Sequence, residues 1–228
     1  MKSDNITKNV AHRRYGDACG AAHALELIGD RWALLVMREM MFGPRRFGDL
    51  RASLPGISAN TLTQRLEGLI TSGIARRERL PPPASTPVYA LTEWGLESEP
   101  ILGVLGRWAV RSPQHDPTLA FSAASLLLSL RTMIAPDRAG SLYAKIGFRM
   151  AGETYCASIV DGVFAAERAP VEDCDIVLEG DPPTIAAWIY GGVPLDDLET
   201  AGALRITGDR SLVAIFPELF PLPAKAQS

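Results

Sequence analysis

Cysteine and histidine are scarce in this 228-residue sequence, with three of each. The cysteines are scattered at Cys19, Cys156 and Cys174, which argues against a disulfide framework and favours a reducing compartment, the cytoplasm. Cys156 and Cys174 are predicted to lie in β-type runs of the second half and are expected to be core residues. No Cys/His cluster has the spacing of a metal site. We therefore predict neither a metal nor another cofactor.

Long apolar runs and catalytic motifs are also missing. No stretch reaches the roughly 18 apolar residues that cross a bilayer. No apolar run follows residues 1–5, so we expect neither membrane insertion nor a signal peptide. The sequence holds no Ser-His-Asp set, P-loop or dinucleotide-binding fingerprint. These absences predict that the protein is not an enzyme.

The charge is unevenly distributed along the chain. The net charge is −3, yet residues 1–112 carry +4 and residues 113–228 carry −7. The positive excess lies within residues 45–79, which hold seven arginines against three acidic residues. A solvated face is the usual explanation of such a run, and nucleic-acid binding is the alternative. The 47% hydrophobic content is that of an ordinary globular protein.

The first half has the pattern of four short helices. The first is predicted over about residues 17–28, and the second begins near Arg31. The third carries apolar residues between positions 47 and 54. Ser58 is a good N-cap for the fourth helix, which Gly73 ends.

The fourth helix is apolar on one side and polar on the other, as in a helix-turn-helix DNA reader. Asn, Gln and Arg side chains can contact base edges, and the helix N-terminus suits a phosphate. The alternative is an ordinary solvated helix face. The candidate DNA-binding residues, including those of adjacent segments, are Arg45, Arg46, Ser58, Asn60, Thr61, Thr63, Gln64, Arg65, Arg77 and Arg79.

Two β-type runs, residues 74–80 and 88–91, follow the fourth helix and predict a hairpin with a proline-rich tip. Arg77 and Arg79 lie on one face of the first strand. A fifth helix is predicted from Thr92 towards Val110, interrupted by a proline. It has too many apolar residues for one small core, which indicates a partner surface or a face covered by the second half.

The run from Cys19 to Trp108 resembles the HxlR-type winged helix regulators, on residues 19–32, 43–47, 54–58 and 62–66. The resemblance implies a winged helix-turn-helix, pseudo-palindromic double-stranded DNA as partner, and a homodimer formed by the first and last helices. In some members the cysteine matched by Cys19 senses oxidants, which makes Cys19 a candidate redox residue; simple packing is the alternative.

Beyond a polar segment at 113–117, the pattern changes to a helical run, several β-type runs and two further helices. This half resembles the sterol-carrier-protein family over about residues 118–222, on residues 174–182, 191–192, 202–209 and 216–220. The resemblance implies a curved sheet with helices around an apolar cavity. A filled core is the alternative. The candidate pocket residues are Leu127, Leu130, Phe148, Ile159, Trp188, Phe216 and Phe220.

The combined prediction is an α+β chain with a winged helix domain at 1–112, a linker at 113–117 and a sterol-carrier-like α/β sandwich at 118–228. We expect a homodimeric, cytoplasmic transcriptional regulator controlled by an apolar small molecule or lipid. Two alternatives stay open. One is a lipid carrier whose winged helix only dimerises it or docks a protein, and the other is a redox switch through Cys19.

Overall fold

A computed structural model describes residues 15–81 and 85–227. The first half contains six helices and a hairpin within those residues. They are α1 Gly20–Ile28, α2 Ala33–Met40, α3 Phe47–Ser53, α4 Ala59–Thr71, β1 Ala75–Arg79, β2 Pro87–Leu91, α5 Glu93–Leu96 and α6 Glu99–Ala109.

The apolar stripe of α4 holds this half together. Leu62, Leu66 and Leu69 are at most 2% exposed, and α4 packs against α2 and the start of β1. Their spacing places them on one side of the helix, so the polar residues between them face outward. The sequence prediction of a helix-turn-helix followed by a two-stranded wing is confirmed in the described residues; residues 82–84 of the predicted hairpin tip lie outside them.

The second half is built on one mixed sheet. Its elements are α7 Ala123–Met133, α8 Pro136–Ala139, β3 Ala144–Met150, β4 Glu153–Val160, β5 Val163–Glu167, β6 Ile176–Gly180, α9 Pro182–Gly191, α10 Leu195–Thr200, β7 Leu204–Gly208, α11 Arg210–Ile215 and a 3₁₀ helix Phe216–Leu219.

The strand order is β5-β4-β3-β6-β7, and the β3–β6 pair is parallel while the others are antiparallel. One face of the sheet is buried under the helices: Ile146, Phe148 and Ile159 are fully buried. The side chains that alternate with them are more exposed, as expected for a sheet with one covered face. An α/β domain is therefore present, whereas its sterol-carrier identity stays a prediction.

Three details differ from the sequence predictions. Helix α1 begins at Gly20 rather than at about Asp17, because Cys19 is in an extended conformation and occupies the N-cap. The predicted fifth helix is interrupted near Pro100 as expected, but the interruption divides it into two separate helices, α5 and α6. Cys156 and Cys174 are not core residues; both are half-buried on the less covered side of the sheet, and Cys174 precedes β6.

The two halves are packed directly against each other. Helix α7 contacts both α6 and α2. The buried Glu39 of α2, 2% exposed, accepts a 2.8 Å hydrogen bond from the Ser122 hydroxyl at the start of α7. Arg131 of α7 pairs with Glu99 of α6 at 2.5 Å. A single hydrophobic core thus extends from the winged helix into the second half.

Candidate nucleic-acid interface

Ser58 is the N-cap of helix α4. The Ser58 hydroxyl accepts a 3.1 Å hydrogen bond from the Thr61 backbone N–H and lies 2.8 Å from the Thr61 hydroxyl. Such a cap stabilises a helix by about 1 kcal/mol. Ser58 is exposed and Thr61 is half-buried. Both candidates therefore lie at the helix start, with Thr61 turned towards Ser58.

The first two turns of α4 expose Asn60, Thr63 and Gln64, and its later turns expose Glu67, Gly68 and Thr71. The Thr63 hydroxyl donates to the Ala59 carbonyl at 3.0 Å, which leaves its methyl group for outside contacts. The amide groups of Asn60 and Gln64 are at the surface, where their paired donor and acceptor could reach a base edge. The predicted outward face is thus present as one surface of the helix.

Arg65 is held by a neighbouring element. Its guanidinium forms an ion pair with Asp30, which stands between α1 and α2, and 21% of its side chain is exposed. Reaching DNA would require Arg65 to leave this pair or to share it. The sequence placed Arg65 on the polar face but gave no sign of this partner.

Arg46 and Arg45 differ in their surroundings. Arg46 is exposed at the N-cap of α3. Arg45 is only 8% exposed, and its Nη1 lies 2.6 Å from both carboxylate oxygens of Glu153 in the second half. Its Nη2 donates to Ser53 Oγ at 3.1 Å. The prediction that Arg45 contacts the DNA backbone is therefore corrected, because its charge is used inside the protein.

The carboxylate of Glu153 organises the contact between the halves. The Tyr155 hydroxyl donates to it at 2.6 Å, and the Arg168 guanidinium lies 3.6 Å away while also donating to the Pro44 carbonyl at 2.9 Å. Burial raises the pKa of Glu153, but the hydrogen bonds from Tyr155 and Arg45 outweigh it, so the pKa is lowered. We call these residues, Arg45, Glu153, Tyr155 and Arg168, the interdomain clamp.

The wing carries two exposed candidates on β1. Arg77 lies opposite Tyr89 of β2, with its guanidinium carbon 5.9 Å from the centre of the ring. Arg79 donates to the Ser85 carbonyl at 3.3 Å. Both arginines remain exposed and lie on the same face of the strand. They extend the positive surface that begins at Arg46.

Cys19 is exposed at the N-cap of α1. Its side chain makes no capping hydrogen bond, yet the backbone N–H groups of Ala21 and Ala22 lower the pKa of the thiol. A helix N-terminus favours a thiolate in this way. Cys19 therefore has the exposure and the electrostatic setting of a reactive thiol.

The candidate pocket residues form a packed core instead of the walls of a described cavity. All seven are at most 6% exposed. The Phe216 ring is stacked 5.9 Å from Trp188 and lies 5.0 Å from Phe220. A cavity of about 200 Å³ is found elsewhere, in the winged helix half between α1 and α5–α6, with Leu27, Trp94 and Ile101 in its lining.

The surface beside that cavity is apolar. On α6, Val104 is 70% exposed and Trp108 is 72% exposed, and Ile101 and Leu105 are also exposed. Leu25 of α1 is exposed as well. Helix α7 of the second half packs against part of α6 but leaves these apolar side chains exposed to solvent. Their exposure is consistent with the partner surface that the sequence indicates.

Two absences hold for the described part of the chain. Residues 15–81 and 85–227 contain no group of three or more potential metal ligands. The helices in those ranges are too short or too polar to cross a membrane.

Comparison with known proteins identifies the family to which the first half is similar. Residues 27–116 match the HxlR-like helix-turn-helix family. The chain is 41% identical over 87 residues to the HTH-type transcriptional regulator sll1512 of Synechocystis, covering 38% of this chain and 64% of that protein. It is 35% identical over 89 residues to YvaP of Bacillus subtilis, covering 38% of this chain and 80% of YvaP.

One solved structure is similar to part of this chain. The reduced form of the regulator YodB from B. subtilis aligns with 30% identity and a TM-score of 0.39, covering 44% of this chain and all of that one.

The described fold, with its exposed polar α4 and two-stranded wing, defines a winged helix-turn-helix protein. The identity shared with YvaP over four-fifths of its length makes the assignment more specific. This chain belongs to the HxlR-like helix-turn-helix family, whose relatives named above are transcriptional regulators. The family match covers residues 27–116.

Proposed function

We propose that the protein is a sequence-specific, DNA-binding transcriptional regulator that acts as a homodimer in the cytoplasm. The observation that carries the proposal is the exposed Asn60–Thr63–Gln64 face of α4, flanked by exposed arginines at Arg46, Arg77 and Arg79. A helix of this kind fits the major groove, and exposed arginines can supply phosphate contacts. Membership of the HxlR-like family supports the same function.

The homodimer is proposed from the open apolar face of α1 and α6. Val104 and Trp108 lie one helical turn apart and are both more than two-thirds exposed. Apolar patches of this type mark protein–protein contacts. A second copy of the chain is the partner implied by the family resemblance, and two α4 helices would then read half-sites about one DNA turn, roughly 10 bp, apart.

The test is a selection from random double-stranded DNA with the purified full chain. Repeated rounds of binding and amplification at moderate salt should enrich one sequence with two-fold symmetry. Binding without any enriched sequence, together with its loss as salt is raised, would mean that only phosphates are contacted. That result would contradict the proposal and favour the carrier alternative, in which the winged helix serves dimerisation or protein docking.

A redox role for Cys19 is a second candidate, favoured by its exposure and its lowered pKa. In this mode an oxidant modifies the Cys19 thiolate and the protein leaves DNA. The test compares DNA release by peroxide in the wild type and in Cys19→Ser. Release that disappears in Cys19→Ser supports the switch, and equal release in both proteins contradicts it.

The apolar effector of the second half stays a prediction. Its seven candidate residues pack against one another, so a ligand would have to separate aromatic rings that are now 5.0–5.9 Å apart. Titration of the full chain with a fluorescent fatty acid tests this part. Saturable uptake that shifts DNA affinity supports an effector, and the absence of uptake contradicts it.

A further inference from the structure

Two cysteines lie side by side on the second half of the molecule. The sulfur of Cys156 on β4 is 3.4 Å from the sulfur of Cys174, which stands just before β6. Both residues are half-buried, so small oxidants can reach them. They are 18 positions apart in the sequence, and the fold brings them together.

Gly147 provides the space for this approach. It is the strand partner of Cys156, and a Cβ on Gly147 would lie only 2.8 Å from the Cβ of Val171. The missing side chain therefore lets the segment that begins at Val171 lie against the sheet. The backbone N–H of Cys174 donates to the Val171 carbonyl at 3.2 Å, and this turn directs Cys174 back towards Cys156.

We propose that Cys156 and Cys174 form a reversible dithiol–disulfide site that is oxidised by peroxides. A disulfide bond is about 2.05 Å long, so the two sulfurs need to approach by only a little over 1 Å. Rotation of the two side chains can supply a movement of that size. The site is separate from Cys19 and does not depend on DNA binding.

The two cysteines take different parts in the reaction. Burial, followed by the hydrogen bond and charge of Cys156, raises the pKa of Cys174 to about 12. Cys174 therefore keeps its proton and can donate it towards the Cys156 sulfur. A thiol that keeps its proton is the poorer nucleophile, so we assign the first attack to Cys156 and the resolving step to Cys174.

The chemistry balances with hydrogen peroxide as the oxidant. The Cys156 sulfur bonds to one peroxide oxygen as the O–O bond breaks, and the departing hydroxide takes the Cys156 thiol proton, so that a sulfenic acid and one water form. The Cys174 sulfur then attacks the sulfenic sulfur, the S–S bond forms, and the hydroxyl leaves as a second water after taking the Cys174 proton. Two thiols are oxidised by two electrons in total, and the peroxide is reduced to two waters.

The test treats the folded full chain with a small excess of hydrogen peroxide, blocks remaining thiols and digests it without reductant. Mass spectrometry should find a peptide pair joined through Cys156 and Cys174, and reductant should restore both thiols. Cys19→Ser is the matched control and should form the same link. Formation should be at least tenfold faster in the folded chain than in the urea-unfolded chain, because the fold holds the sulfurs together.

Two further variants separate the roles. Cys174→Ser should accumulate a sulfenic acid on Cys156 that a dimedone probe traps, whereas Cys156→Ser should leave Cys174 largely unmodified. Absence of the Cys156–Cys174 link in the folded protein would overturn the proposal. A link that forms no faster when folded than when unfolded, or one made mainly to Cys19, would overturn it as well.

Discussion

At the scale of single residues, two adjacent arginines illustrate how position decides function. Arg46 is exposed at the N-cap of α3, whereas Arg45 is 8% exposed and its charge faces Glu153. The two residues are consecutive in the sequence, so the sequence around them does not distinguish their roles. Only Arg46 has its charge available for a phosphate, since Arg45 would have to leave a buried ion pair to reach one.

Arg46→Ala should reduce the slope of log Kobs against log salt concentration by about 0.9, because one phosphate contact is lost. Arg45→Ala should leave that slope unchanged and lower the stability instead. Fluorescence anisotropy of a labelled duplex between roughly 50 and 200 mM salt measures both slopes. Arg205→Ala, an exposed arginine on β7 in the second half, is the control. An unchanged slope in Arg46→Ala would show that it does not touch DNA.

At the scale of secondary-structure elements, the interdomain clamp joins the segment before α3 to strand β4. The ion pair of Arg45 with Glu153 is inside the contact, with 9% and 31% of the two side chains exposed. Removing one charge leaves the other without its partner in a poorly solvated position, which is costly. The interdomain clamp therefore connects the segment before α3 to strand β4 of the sheet.

Glu153→Gln should lower the free energy of unfolding by about 2 kcal/mol, less than the 3–5 of a fully buried pair because Glu153 is partly exposed. Urea denaturation at neutral pH measures it. Glu172→Gln is the matched control, since Glu172 is 67% exposed and lies 3.7 Å from Arg149. The control should change stability by less than about 0.5 kcal/mol. Equal effects of the two variants would contradict the clamp.

The difference in unfolding free energy between wild type and Glu153→Gln should depend on pH, because the pKa of Glu153 is lowered in the folded protein. Because the pKa of Glu153 is lower in the folded than in the unfolded protein, its ionised carboxylate contributes its full stabilisation above the unfolded pKa of about 4.3. That stabilisation is lost as the pH falls through the pKa of the folded protein. The gap between wild type and Glu153→Gln should therefore persist at pH 5–7 and shrink below about pH 4. A gap that narrows already between pH 7 and pH 5 would argue against a depressed pKa.

Local patterns predicted the elements well. The i, i+4, i+7 spacing of Leu62, Leu66 and Leu69 fixed the buried side of α4, and Ser58 fixed its start. The Arg45–Glu153 pair joins residues 108 positions apart, and no local pattern indicates it. The Cys156–Cys174 contact was missed for the same reason. Long-range pairings depend on how the sheet and helices assemble, which periodicity does not encode.

At the scale of the whole molecule, the winged helix and the α/β half share one core. Helix α7 and the clamp are the contacts that connect the second half to the helix-turn-helix. The sequence predicts a linker at residues 113–117, and the two halves on either side of it are in direct contact. Exposed apolar side chains remain along α1 and α6.

Val104→Glu should convert the dimer into a monomer, because it puts a charge into an apolar contact that must be desolvated. Sedimentation velocity measures the mass, and circular dichroism checks that the helix content is unchanged. Val163→Glu, at a 63% exposed position on strand β5, is the control and should stay dimeric. A Val104→Glu protein of dimer mass would place the interface on another surface.

The central claim is that the exposed face of α4 reads base sequence. The most direct measurement is the DNA selection carried out in parallel with wild type and Gln64→Ala. The account predicts that the wild type enriches a two-fold symmetric site. It predicts that Gln64→Ala loses preference at one base pair in each half-site, about tenfold in affinity, with its salt dependence retained. Identical sequence preferences in the two proteins would contradict the account.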